Sequence, residues 1–372
     1  MTIYIFSILT CILMMCFANK KSYREKKYVC IVSSILIIIS GLRNVGTDVI
    51  NYKNYFEILD FYNFGNSLYE RGYYLINKIV QISFNDFQYV LIFTSLFIIL
   101  LITKTIVDFS VYPLLSLFFF ITLYFYFTSF NLVRQYIAMA IVFASIKYII
   151  EKKLCRFIFI IIFASFFHST SLFFIPFYWI ARKKMPDVYY WLVFIATLVL
   201  TIFIPLIINI VSFIFPRLSY YSDYSLEGAS ANFAFVVTSI TFICAKILFK
   251  KLIIIDGNAN LYMNFVFYAS CFSILSRNNI IFFRISSYFY IFIILLIPII
   301  YKSLTKNLKF LFLFYMIPAS TIYMCYLIMN NNAGVYPYDF SVFYTDDLNK
   351  YLFLILGLLI VCFHLFFKRK KD

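Results

Sequence analysis

What most constrains this chain is its rhythm: apolar runs of membrane-spanning length recur along it, separated by short basic clusters or short polar stretches. Of 372 residues, 64% are hydrophobic and 13% charged, against roughly 25% charged in soluble domains. A backbone in lipid must satisfy its own hydrogen bonds, which leaves helices or a closed barrel. A barrel reads as short alternating segments, and these runs do not alternate. The expected fold class is therefore all-α, a polytopic membrane helical bundle of about 11–14 spans in a single integral membrane domain over residues 1–372. External segments are expected at about 43–86, 216–231 and 329–347. The 49 Phe and 33 Tyr suit lipid-facing helices with interfacial belts.

A formal net charge of +16 raises the question of nucleic acid, but the basic residues sit in clusters between apolar runs. Lys20, Lys21, Arg24, Lys26 and Lys27 follow the first run, and a KRKK tract follows the last. The positive-inside rule reads these as cytoplasmic, with the N-terminus outside and the C-terminus inside, and no nucleic-acid partner is expected. The first run, 2–18, lacks a basic leader region and a small-residue cleavage pattern, so it reads as a retained span. The eight cysteines lie in or at the ends of apolar runs without CxxC or His/Cys spacing. Neither a disulfide framework nor a zinc site is expected, no acidic cluster has Mg²⁺-like spacing, and no cofactor is implied.

The segment 154–181 has basic flanks on both sides, Lys152, Lys153 and Arg156 before it and Arg182, Lys183 and Lys184 after it. Both ends then belong on one side of the membrane. Two helices of roughly 13 residues, about 20 Å each at ~1.5 Å per residue, would meet at SFFHSTS and place His168 at the floor of an outward cavity. The competing reading is one tilted span over 155–179. Within 53–86, Tyr73, Ile76, Ile79 and Val80 recur at helical spacing opposite Glu70, Arg71, Asn77 and Lys78, the pattern of an interfacial amphipathic helix, a candidate lid.

Polar chemistry concentrates in GLRNVGTDVINY, residues 41–52, where Gly41 and Gly46 permit positive φ and close backbone approach. Arg43, Thr47, Asp48, Asn51 and Tyr52 supply a cation, a carboxylate and neutral hydrogen-bonding groups, an inventory suited to a phosphate and a sugar. Arg134 and Gln135 follow in the SFNLVRQ turn, then His168, Arg277, Arg284 and Tyr288, and Tyr338 in a late loop. Arginine within or near a span faces a cavity or a partner, and its fork grips phosphate oxygens. A histidine near neutral pKa takes a hydroxyl proton. Against this stands a bland reading: interfacial arginines that snorkel, and a histidine held for structure.

In order, GLRNVGTDVINY, YERGYYLINK, VRQYIAMAIVFASIKYI, ASFFHSTSLFFIP, FFRISSYF and VYPYDF resemble the EpsG/Wzy-type polysaccharide polymerases over about residues 41–340. The resemblance implies a GT-C-like architecture in the bacterial inner membrane. It also implies a glycosyltransferase that joins undecaprenyl-diphosphate-linked oligosaccharides, donor and acceptor alike, on the outer leaflet into O-antigen, capsule or exopolysaccharide. A separate chain-length regulator is the partner it implies. Carried over, Arg43 and Asp48 match an RxxGTDxxxY element, Arg134 the RQ turn, His168 the FH turn and Arg284 an RxxxYF element. His168 and Asp48 are the expected catalytic groups. The expected substrate-binding groups are Arg43, Arg134, Arg277, Arg284, Thr47, Asn51, Tyr52, Gln135, Tyr288 and Tyr338. A flippase for lipid-linked oligosaccharides, an O-antigen ligase and a membrane acyltransferase are the alternatives, though no internal repeat of the transporter kind is visible.

Overall fold

The computed structural model describes residues 2–18, 22–214 and 228–339 together with positions 351, 354, 355 and 357, and every regular element among them is helical. In chain order the helices are α1 (Thr2–Phe17), α2 (Ser22–Gly41), α3 (Val49–Glu57), α4 (Arg71–Phe84), α5 (Phe87–Phe109), α6 (Pro113–Thr122), α7 (Phe125–Thr128), α8 (Val133–Ala144) and α9 (Ile146–Ile150). They continue with α10 (Leu154–Ser165), α11 (Phe177–Ile180), α12 (Asp187–Ile214), α13 (Gly228–Ile247), α14 (Phe249–Ile255), α15 (Ala259–Leu275), α16 (Ile280–Tyr290), α17 (Ile293–Ser303) and α18 (Lys306–Met329).

Among the described residues, four stretches are long and apolar enough to cross a bilayer: Phe87–Phe109, Val133–Ile150, Asp187–Ile204 and Lys306–Met329. Two bent pairs, α13 with α14 and α16 with α17, qualify as broken spans, and shorter apolar helices accompany them. The chain is a multi-pass helical membrane protein. Arg217, Asp223 and Glu227 of the expected 216–231 loop, and most of the expected last span, lie outside the described residues.

The chain divides into two compact units. The first comprises Met1–Ala144, Phe166–His168 and the chain from Phe310 onward. Its centre is α5, packed against α2 and α8. Asp86 starts α5 by accepting from Gln88 N–H at 2.9 Å, a cap that satisfies one of the donors a helix start leaves open. Ser33 of α2 and Thr103 of α5 bond at 2.9 Å, so this polar pair in the apolar seam is mutually satisfied. Gly41 closes α2, and a Cβ there would lie 3.5 Å from the Ile92 Cα. The close approach expected at Gly41 is present; the positive φ is not, and belongs to Gly46 at 128°. The apolar stretch after Pro113 is broken at Tyr124, φ 72°, after which the Tyr126 hydroxyl donates to Leu36 O at 2.8 Å.

α4 is the expected amphipathic helix, but Ile79 and Asn77 lie on the opposite faces from those expected. It buries Tyr73, Tyr74, Asn77 and Val80, while Ile79 lies exposed with Leu75 and Ile82 on the other face. Asn77 enters the interior because its Nδ2 donates to Tyr73 O at 2.8 Å, which lowers the cost of burying an amide. The exposed apolar face is then the one available to lipid.

The second unit comprises Ser145–Ser165 and Ser169–Lys309, built around α15, whose side chains are almost all buried against α12, α13 and α16. The 154–181 segment doubles back. After α10, it returns as a 3-10 turn, Ser169–Phe174, and then α11. Phe157 near the start of α10 meets Phe174 at 6.2 Å and Tyr178 at 5.2 Å between ring centres. The two ends therefore lie together, as the paired basic flanks require, and the single tilted span is ruled out.

Candidate active site

The GLRNVGTDVINY stretch folds against the late loop. Asn44 N–H donates to Asp339 O at 2.9 Å, Gly46 N–H to Gly334 O at 3.0 Å and Thr47 N–H to Ala333 O at 3.3 Å. Asn131 Nδ2 joins them, donating to Ala333 O at 2.7 Å. Glycine is needed where the plies touch: a Cβ on Gly46 would lie 2.7 Å from Asn131 Oδ1, and one on Gly334, φ 62°, would lie 2.9 Å from Thr47 N. A groove of about 600 Å³ opens beside this double loop, lined by Asn44, Lys53, Asn54, Glu57 and Tyr336. Thr47 and Asn51 are exposed, and Asp48 is half-buried at the start of α3. Tyr338 and Tyr52 are occupied in holding backbone, donating to Ile39 O at 2.5 Å and to Asn131 O at 2.9 Å.

The groups that converge most closely are Glu70, Arg134 and His168, all in the first unit. Glu70 precedes α4, Arg134 lies in the first turn of α8, and His168 sits in the break after α10. One carboxylate oxygen of Glu70 pairs with Arg134 Nη1, and the other lies 2.9 Å from His168 Nδ1. Burial pushes the Glu70 carboxyl up, but the His168 hydrogen bond and the Arg134 charge outweigh it and hold it at about 2. Because an ionised carboxylate only accepts, His168 Nδ1 carries a proton and donates it to Glu70.

Gly72 makes this meeting possible. Its N–H donates to Phe166 O at 2.8 Å, and a Cβ there would come within 2.8 Å of that same oxygen. The start of α4 is thereby seated against residues 166–168. Tyr69 lies under the Arg134 guanidinium, 4.2 Å from ring centre to Cζ, in a cluster with Tyr52, Tyr55 and Tyr73. Asp48 is near enough to act on the hydroxyls of Tyr52 and Tyr69. Among the described residues, Arg134 Nε is buried without a hydrogen-bond partner.

Arg43 departs from the expected phosphate grip. It is 1% exposed, its Nη2 donates to Phe130 O at 3.1 Å, and its Nη1 donates to Ser95 Oγ at 3.1 Å and to Ser40 O. The guanidinium stacks on Phe130 at 4.7 Å. Those contacts make it a brace that ties the end of α2 to α5 and to the turn before α8. Gln135 is buried one position after Arg134.

Three expected site residues belong to the second unit. Arg277 is exposed and its Nε donates to Asn232 Oδ1 at 2.7 Å; Arg284 is half-buried on α16; Tyr288 is buried and accepts from Thr170 Oγ1 at 3.3 Å. Sequence reasoning placed Glu70 only on the polar side of an amphipathic helix and gave Tyr69 and Asn131 no role. The signal that pointed to Glu70 was its place in YERGYYLINK, an acid in a chain with 16 acidic residues against 32 basic ones.

The sequence model of the EpsG family matches residues 26–340. No curated protein and no solved structure matches the chain.

Proposed function

Because the chain belongs to the EpsG family, we propose that it polymerises a surface polysaccharide by moving a growing glycan from an undecaprenyl-diphosphate carrier onto the next lipid-linked repeat unit. The reaction takes place at the outer leaflet of a bacterial inner membrane. The observation that carries this reading is the single carboxylate of Glu70 held between an arginine and a histidine. Family membership supplies the reaction class, a membrane polysaccharide polymerase, and the side chains supply the chemistry.

In this reading Glu70 orients the His168 ring through Nδ1 and strengthens Nε2 as a base, the role a buried carboxylate plays toward a catalytic imidazole. The acceptor hydroxyl gives its proton to Nε2 as its oxygen bonds to the anomeric carbon of the donor glycan. The bond from that carbon to the diphosphate breaks, and the diphosphate leaves with the electron pair. Arg134, already charged and stacked on Tyr69, turns its remaining N–H groups to the leaving oxygens, where charge-assisted bonds are strongest. The groove lined by Asn44, Lys53 and Tyr336 receives a sugar of a repeat unit. Asp48 acts near the same aromatic cluster.

The test is a gel ladder from purified lipid-linked repeats and the protein in membranes. Glu70→Gln and His168→Asn should each lower polymerisation by about 10²–10⁴, the usual worth of general acid–base catalysis. Unpolymerised units should then collect on the outer leaflet. Full ladders from both variants would refute the assignment, and units trapped on the cytoplasmic leaflet would favour a flippase.

A further inference from the structure

The second unit holds a cavity that the proposed reaction does not use. It measures about 540 Å³ and is lined by Lys152, Trp179, Arg182, Lys183, Asn258 and Asn260, among others. Its walls are the ends of the doubled-back 154–181 segment and the turn before α15. The basic flanks that make this segment a hairpin thus also line an open cavity. Positive-inside topology explains why lysines and arginines lie at these span ends. It does not explain why three of them share a cavity with an indole and two amides.

The wall is rigidly built. Asn264 Nδ2 donates to Ala181 O at 2.8 Å and to Lys183 O at 2.9 Å, Asn260 Nδ2 donates to Lys183 O at 3.2 Å, and the Tyr190 hydroxyl donates to Asn264 Oδ1 at 2.6 Å. These bonds fix the 181–183 backbone and leave the side chains of Arg182 and Lys183 to the cavity rim. Arg182 is further steadied over the Tyr178 ring, 5.4 Å from Cζ to centre. Nearby, Glu151 is taken by Lys153 at 2.7 Å and by Lys147 at 3.9 Å. No described carboxylate forms an ion pair with Lys152, Arg182 or Lys183. Lys152 sits at φ 60°, a conformation a lysine adopts at a cost, and its side chain reaches the cavity from there.

We propose that this cavity binds the phosphate headgroup of an anionic lipid. Three cations supply the charge, Asn258 and Asn260 supply neutral donors, and half-exposed Trp179 supplies an amphipathic ring of the kind that sits at headgroup level. The same chemistry accepts a phosphate group without acyl chains, so the source is distinguished by experiment.

Trp179 reports directly, since the chain has only two tryptophans and Trp191→Phe removes the other. The full-length Trp191→Phe protein in neutral detergent is titrated with dioctanoyl phosphatidylglycerol, dioctanoyl phosphatidylcholine or sodium phosphate while Trp179 emission is followed. The expected result is a saturable change with phosphatidylglycerol and none with phosphatidylcholine. Each of Lys152→Gly, Arg182→Gln and Lys183→Gln should weaken the response about 5-fold, the worth of one basic residue near an anionic surface. Glycine at 152 removes the side chain while suiting the backbone. Saturation by sodium phosphate at equal concentration would support the phosphate site and remove the need for a lipid. An equal response to both lipids, or a response unchanged in all three single variants with wild-type melting temperatures, would overturn the proposal.

Discussion

Replacing Gly72 with alanine tests whether the seating of α4 on residues 166–168 sets the catalytic geometry. The new Cβ would lie 2.8 Å from Phe166 O and 2.9 Å from two carbons of the Phe167 ring, where ordinary contacts begin at 3.4 Å. Relief requires a shift of about 0.5 Å in a close-packed interior. The hydrogen bond between Glu70 and His168 starts at 2.9 Å, so the same shift carries it to the edge of the bonding range. Glu70 cannot simply follow the ring, because Arg134 holds its other oxygen. A hydrogen bond to a charged group is worth about 1.5–3 kcal/mol, and alanine in place of a helical glycine returns about 0.5–1. The net expected destabilisation is about 1–2 kcal/mol, with polymerisation down by roughly 10- to 100-fold as His168 loses its orientation. Gly65→Ala is the control, since its Cβ would meet only Asn63 Oδ1, at 3.5 Å. Melting curves and gel ladders at equal folded protein read both effects. Wild-type melting and a wild-type ladder from Gly72→Ala would refute the reasoning.

The Glu70 carboxyl is held at about 2, below the ordinary 4.5, so its pairing contributes stability that is complete above about pH 4.5 and lost as pH falls toward 2. Melting temperature should drop through that window in the native chain, and Glu70→Gln should flatten that drop; parallel curves would sink the idea. Arg43→Lys retains the charge but cannot span Phe130 O, Ser95 Oγ and Ser40 O, and should cost about 2–3 kcal/mol in stability while the folded fraction polymerises normally. Arg134→Lys should do the reverse, folding normally but polymerising roughly tenfold more slowly, as the planar fork is lost; an unchanged rate would remove Arg134 from the leaving-group role.

The difference between Arg43 and Arg134 shows what a sequence of this kind discloses. Apolar period and basic flanks are local properties, so the helical class and the doubled-back 154–181 segment could be read directly from them. The polar stretch at 41–52 was legible as a place where the backbone is specially shaped, and Gly46 bears that out. Whether a given guanidinium faces a substrate or the interior is a different matter. Arg43 is turned inward by acceptors on residues 40, 95 and 130, two of them far along the chain and silent in any local pattern. Glu70 shows the same limit from the other side, since its partners lie 64 and 98 positions away. A membrane interior sharpens the inference, however. Cations there are costly unless compensated, and this chain has half as many acids as bases. An acid is therefore the natural counterion for whichever basic groups must enter the fold. Glu70 is one of four acids between positions 53 and 86, and only the fold, by bringing residues 134 and 168 to it, sets it apart.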